Sequence, residues 1–217
     1  MKIAAIIDAT GSMLGATLQT IDGVNEYING LKADETTREA DLTLTVFNSE
    51  IGVKFIHNDL PVKDVPKFTQ KDYKCDGVTP LYDAIGTTIH SIAHRATTQE
   101  KILFIILTDG LNNASREYDF HTIHKLIKEK EKEGNWTFVF LGADIDAWAA
   151  QQSMNLGMAT ANTMSYGKHD TRNTMRGLAG QTVSYAGMSN TSTDDFFGKQ
   201  GKNGDTDEGV GGTKNQT

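Results

Sequence analysis

The sequence predicts an α/β fold: a central, mostly parallel sheet with helices on both faces. Three observations carry that prediction. Short, near-continuous apolar runs, Ile3 to Ile7, Lys101 to Thr108 and Trp136 to Leu141, read as strands buried on both sides. Longer segments of helical period alternate with them, as helices that cover a sheet do. One pair of alternating runs is separated only by Asn48-Ser49-Glu50, which reads as a hairpin. The chain has 217 residues, enough for one such domain and a short appendage.

The first strand ends at Asp8. Leu14, Leu18, Ile21, Val24, Ile28 and Leu31 then recur at steps of three or four, which predicts a helix over Met13 to Leu31. Leu42, Leu44 and Val46 alternate with threonines, and Ile51, Val53 and Phe55 follow the turn. So short a return strand belongs antiparallel at a sheet edge. Asn58 to Val78, with Pro61, Pro66 and many charges, reads as a loop with one helical turn. Pro80 suits a helix start, where its missing N–H costs nothing, and Leu81, Ile85, Ile89 and Ile92 give that helix its stripe.

After the strand Lys101 to Thr108 a third helix is expected from Tyr118 to Glu133, then the strand from Trp136 and a helix from Asp144 to Met154. Met158 to Tyr166 adds a short last strand, and Thr171 to Met188 a helix lying across the domain. The segment 167–197 is thus an extension packed on a domain of residues 1–166. From Gly198 onward there are 6 Gly and no aromatic residue, so 198–217 is expected to be a disordered tail.

Composition narrows the function classes. The formal charge of −7, from 28 acidic against 21 basic residues, argues against a nucleic-acid binder. A single cysteine, Cys75, excludes an intramolecular disulfide framework and a multi-cysteine zinc site. The apolar runs are too short for a signal peptide or a membrane span. The expected protein is soluble and cytoplasmic, without membrane contact; oligomeric state is not legible.

Three oxygen-bearing clusters stand where strands or helices meet loops: Asp8-Ala9-Thr10-Gly11-Ser12, Gly77-Val78-Thr79-Pro80, and Thr108-Asp109-Gly110. In open α/β sheets ligands gather outside the carboxyl ends of strands, near the point where strand order reverses. With the first strand central and the Lys101–Thr108 strand beside it, the clusters converge on one crevice. Two carboxylates and three hydroxyls are hard donors that suit Mg²⁺, with Mn²⁺ or Ca²⁺ also accommodated. Alternating positions 8, 10 and 12 point inward from one tight turn, Gly11 allowing the bend. The expected metal set is Asp8, Thr10, Ser12, Thr79 and Asp109.

Asp8-x-Thr10-x-Ser12, then Thr79 in Gly-x-Thr-Pro-Leu-Tyr-Asp-Ala-Ile, then Asp109 in Leu-Thr-Asp-Gly resemble the von Willebrand factor A (vWA) domain with its metal-ion-dependent adhesion site. The family pattern is DxSxS, T, D, and Thr10 replaces the first serine while keeping a hydroxyl. The resemblance covers Met1 to Tyr166. It implies a Rossmann-like vWA fold of sheet order 3-2-1-4-5-6 with strand 3 antiparallel. It also implies an open metal position, completed by water or by an Asp or Glu of a protein partner. Phe140–Asp144 and the Phe196-Phe197 pair look similar to cytosolic bacterial and phage members.

Other readings compete. Asp-x-Thr-x-Ser after a strand also suits a helix N-cap. Asp83, one turn into a helix, favours the dipole or bonds nearby backbone rather than a metal. Asp76 and Asn112 belong to the rim. His90 and His94 are four apart but lack further ligands, so they read as solvated, as do His121 and His124. Lys125 to Lys132 alternates with glutamates as a solvated helix face. A Mg²⁺-dependent phosphoaspartyl phosphatase wants a second Asp where Thr10 stands, a pump-type ATPase wants Lys where Ala9 stands, and no P-loop is present. The favoured expectation is a non-enzymatic interaction module, with a structural subunit carrying an idle site as the alternative.

Overall fold

A computed structural model of the chain describes residues 1–198, except 155, 157 and 159. The glycine-rich tail expected over 198–217 lies, apart from Gly198, outside the described residues. The elements are β1 (Lys2–Asp8), α1 (Thr17–Ala33), β2 (Asp41–Asn48), β3 (Gly52–Pro61), α2 (Leu81–Ala93), β4 (Ile102–Thr108), α3 (Phe120–Lys132), β5 (Trp136–Ala143), α4 (Ala147–Ser153), β6 (Thr163–Tyr166) and α5 (Thr171–Gly187). They build one six-stranded sheet of order β3-β2-β1-β4-β5-β6. Only the β2–β3 pair is antiparallel.

The apolar runs explain the placement. Every residue of β1, β4 and β5 is buried, so these strands lack a solvent face and need helices on both sides. The pleat sends Ile3, Ala5 and Ile7 to the α1 and α5 side, and Ala4 and Ile6 to the α2, α3 and α4 side. Each fully buried Ile contributes about 1.5–3 kcal/mol before ordering entropy is subtracted. β3 is largely half-exposed and holds the edge.

Several boundaries differ from expectation. β3 runs to Pro61 where a loop was expected from Asn58. Irregular pairing with β2 and a positive φ of 61° at Asp59 carry it through its turn-forming residues, and an edge strand tolerates the missing N–H of Pro61. Gly11–Ala16 forms 3-10 turns before α1 begins. The tighter winding takes Leu14 off the expected stripe, and Leu18, in the first turn of α1, lies outside the buried face that begins at Thr20 and Ile21; they are 66% and 59% exposed. α4 starts at Ala147 because the Asp146 carboxylate caps it, accepting from Ala149 N at 3.0 Å. The last strand is shorter than expected, Thr163–Tyr166.

Beyond Gly167 the chain re-enters the core. Met175, Leu178, Ala179 and Tyr185 of α5 are buried against α1 and the sheet. The approach is close: a Cβ at Gly30 of α1 would meet Ala179 Cβ at 2.6 Å, and one at Gly23 would meet Thr171 Cγ2 at 2.8 Å. Phe196 and Phe197, in edge-to-face contact at 5.2 Å, close the same side.

Candidate functional site

β1 connects to β2 on one side of the sheet, while β4 lies on its other side, so strand order reverses between β1 and β4. Asp8 is the last residue of β1, and Asp109 follows the last residue of β4. Both clusters therefore open into the crevice where loops diverge.

Asp8 is fully buried. Its Oδ1 accepts from Thr10 N at 2.8 Å and its Oδ2 from Thr108 Oγ1 at 2.5 Å. Burial pushes its pKa up to about 6; those hydrogen bonds work against the rise, and the charge of Asp109 adds to it. Ser12 Oγ donates to Asp109 Oδ1 at 2.7 Å. Its one hydrogen being used there, Ser12 accepts from Thr10 Oγ1 at 3.1 Å. The other oxygen of Asp109, Oδ2, is buried. The Lys168 ammonium stands 2.6 Å from it as an ion pair and donates to Ser12 O at 3.3 Å.

Thr79 is held by the following loop: its N donates to Asn113 Oδ1 at 2.8 Å, and its O accepts from Asn113 N and Ala114 N. Its hydroxyl lies over the Asp109–Gly110 turn, where a Cβ on Gly110 would meet Oγ1 at 3.6 Å. The structure thus gathers all five residues singled out by sequence, Asp8, Thr10, Ser12, Thr79 and Asp109, at one end of the sheet. Four are linked through hydrogen bonds that include Thr108, and Thr79 covers the turn beside them.

The loops are fastened to one another. Gly11 N donates to Gly77 O at 3.1 Å and Asp76 N to Ala9 O at 3.0 Å. Gly11 does not serve the bend through an unusual φ; a Cβ there would press on Gly77 O at 3.3 Å, so the glycine permits close approach. Asn48 Nδ2 donates to Ala9 O at 2.8 Å, while its Oδ1 accepts from Glu50 N and Ile51 N. Tyr73 Oη donates to Asp8 O at 2.6 Å.

Asp83 is occupied elsewhere, its carboxylate accepting from the backbone N–H groups of Arg116, Glu117 and Tyr118. Asn112 accepts from Tyr82 N, and the exposed Asp76 accepts from Gly77 N. His90 and His94 are both exposed, His90 stacking on Tyr118. Residue-type reasoning missed Thr108 as a partner of Asp8, although its hydroxyl beside Asp109 was the available signal. It also missed Lys168, which no local pattern marks.

The chemistry of the donors is that of hard oxygen. Among the described residues no group of three His, Cys, Asp or Glu side chains could hold a metal, so a cation here would depend on the hydroxyls as well as the two carboxylates. Asp109 Oδ2, buried and already paired with the Lys168 ammonium, is an oxygen that a cation suits. Around the site Leu14, Val78 and Leu111 are exposed. A cavity of about 370 Å³ lined by Leu111, Ile145, Ala149 and Ala150 adjoins Asp109.

The sequence matches no protein-family model and no curated protein. Solved structures resemble the fold. The pilus adhesin SpaC of Lactobacillus rhamnosus GG superposes with a TM-score of 0.69 at 11% identity over 85% of this chain. The vWF domain of the type V pili tip protein Mfa5 of Porphyromonas gingivalis gives 0.67 at 12% identity, over 89% of this chain and 98% of that one. The fold is the vWA fold. Manganese-loaded TRAP protein of Plasmodium vivax gives 0.53 at 15% identity, over 80% of this chain and 70% of that one. The chain spans 30% of the length of SpaC. Among the described residues no helix is long and apolar enough to cross a membrane.

Proposed function

We propose that this vWA-fold chain is a non-enzymatic interaction module in which Asp8, Thr10, Ser12, Thr79 and Asp109 hold a Mg²⁺-type cation, directly or through water. Mn²⁺ or Ca²⁺ fits the same donors less selectively. The bound cation supplies a positive charge with an open coordination position, and a partner's Asp or Glu completes it. The observation that carries the reading is the buried pair of like charges. Asp8 and Asp109 face one crevice in which only Asp109 has an ion-pair partner among the described residues, Lys168; burial lifts the Asp8 pKa to about 6, and a divalent ion there would relieve the excess negative charge.

Further support comes from the neighbours: SpaC is a pilus adhesin, Mfa5 a pili tip protein, and TRAP is described with manganese. The exposed Leu14, Val78 and Leu111 give the partner an apolar rim around the ionic centre. We place the module in the cytoplasm, a placement with which its single free cysteine, Cys75, agrees. Cell fractionation tests that placement, since recovery outside the cell overturns it.

Calorimetric titration of Mg²⁺ into chelator-stripped protein tests the centre. Binding is expected for the wild type and at least a hundredfold weakening for Asp8→Ala. The partner chemistry is tested by selecting displayed peptides in Mg²⁺ and eluting with chelator. Eluted peptides should be enriched in Asp or Glu. Peptides that stay bound through chelation, or show no acidic enrichment, defeat the bridging role.

A further inference from the structure

We propose that the Lys168 ammonium is the site's own cation: it neutralises Asp109 while no divalent ion is bound, must leave when one enters, and so sets the concentration at which the site loads. This rests on the metal reading above and deepens it.

Among the described residues Lys168 is the one base in ion-pair contact with either site carboxylate, at 2.6 Å from Asp109 Oδ2. The two partners differ in freedom. The Asp109 side chain is 2% exposed and fixed through Ser12, whereas Lys168 is 22% exposed on a flexible stem. The carboxylate cannot follow the ammonium into water, but the ammonium can leave the carboxylate.

The backbone that carries Lys168 is fastened on both sides. Its N donates to Asp144 Oδ1 at 2.9 Å, and its O accepts from Thr171 Oγ1 at 2.6 Å at the start of α5. The amine is therefore delivered to Asp109 from the junction between β6 and α5. A divalent ion held through Asp109 would compete with this ammonium for the same carboxylate, and like charges repel strongly in a partly dry crevice. The ion and the ammonium exclude each other. Loading then becomes an exchange of one cation for another, and affinity is lower than the donor set alone would give.

Titration of Mg²⁺ and of Mn²⁺ into stripped wild type, Lys168→Met and Lys168→Arg, each checked for fold by circular dichroism, reads this directly. Lys168→Met should bind at least tenfold more tightly than wild type, and Lys168→Arg within threefold of it. Equal affinity in Lys168→Met and wild type overturns the exchange while leaving the metal reading intact. Failure of all three proteins to bind either ion overturns both.

A second measurement on the wild type guards against a misfolded variant. Acetylation of Lys168 by an N-hydroxysuccinimide ester is followed by peptide mass spectrometry against the exposed Lys125, whose side chain is 77% exposed. The ratio should rise at least fivefold between chelator and saturating Mg²⁺. A constant ratio overturns the proposal.

Discussion

Asp8 has both carboxylate oxygens engaged, by Thr10 N and Thr108 Oγ1, yet burial outweighs those bonds and lifts its pKa to about 6. The unfolded value is about 3.9, so the folded state holds the proton more tightly. A raised carboxylate pKa contributes stability that is fully present below the unfolded value and is lost as pH rises through the folded one. Chelator-treated protein should accordingly be more stable at pH 5 than at pH 7.5 by roughly 1 kcal/mol, measured by urea unfolding. Asp8→Asn should flatten that slope, and an unchanged slope would show that Asp8 does not cause it. Thr79 gives the complementary case. Its backbone is tied to Asn113 and Ala114, while no hydrogen bond engages its hydroxyl among the described residues. Thr79→Val keeps the shape and removes only a donor oxygen. Stability in chelator should stay within about 0.5 kcal/mol of wild type, and Mg²⁺ affinity should fall about tenfold, the loss of one ligand interaction of roughly 1.4 kcal/mol. A variant with unchanged affinity removes Thr79 from the metal set.

At the scale of elements, the contact between α1 and α5 is set by two glycines, Gly23 and Gly30, which lie two turns apart on one helix face. Gly30→Val would drive a branched side chain into Ala179, whose Cβ stands only 2.6 Å from the point a Cβ on residue 30 would occupy. Overpacking of this kind costs about 1–3 kcal/mol, more than the helix propensity gained on losing glycine. Urea unfolding should show that loss, and a neutral or stabilised variant would mean that α5 yields freely. β1, β4 and β5 were legible because burial on both faces leaves an unbroken apolar run. The edge position of β3 was legible from alternation, but not its length, since Asn58, Asp59 and Pro61 favour turns unless a bulged edge strand absorbs them. Leu14 and Leu18 keep helical spacing, but Leu14 falls in 3-10 turns and Leu18 in the first turn of α1 outside its buried face, so both meet solvent. Asp8, Thr10, Ser12, Thr79 and Asp109 could be grouped because each sits beside a strand end or helix start, where topology fixes position. Lys168 also lies between a strand end and a helix start, those of β6 and α5, but it brings a cation and not an oxygen donor, so grouping by donor type passes over it.

For the whole molecule, the centre and the frame make separable contributions to stability. A ligand that binds only the folded state stabilises it by RT ln(1 + [L]/Kd), about 2.7 kcal/mol at a hundredfold excess over Kd. For a chain of this size each kcal/mol moves Tm by roughly 2–4 °C, so saturating Mg²⁺ should raise Tm by about 5–10 °C over the chelated protein. The variants divide this shift. Thr79→Val should keep the chelated Tm and lose part of the rise, because only the bound state uses its hydroxyl. Gly30→Val should lower Tm with and without Mg²⁺ by similar amounts and keep the rise, because the α1–α5 contact is remote from the donors and distant sites add. Lys168→Met crosses the two classes: in chelator it leaves Asp109 buried without its counter-charge and should lower Tm, while in Mg²⁺ the same change removes a competitor. Its Mg²⁺-induced rise should therefore exceed that of the wild type. Differential scanning calorimetry of the four proteins at matched pH and ionic strength checks all of these outcomes. A wild-type Tm unmoved by Mg²⁺ and Mn²⁺ would break the link between the centre and the stability of the fold.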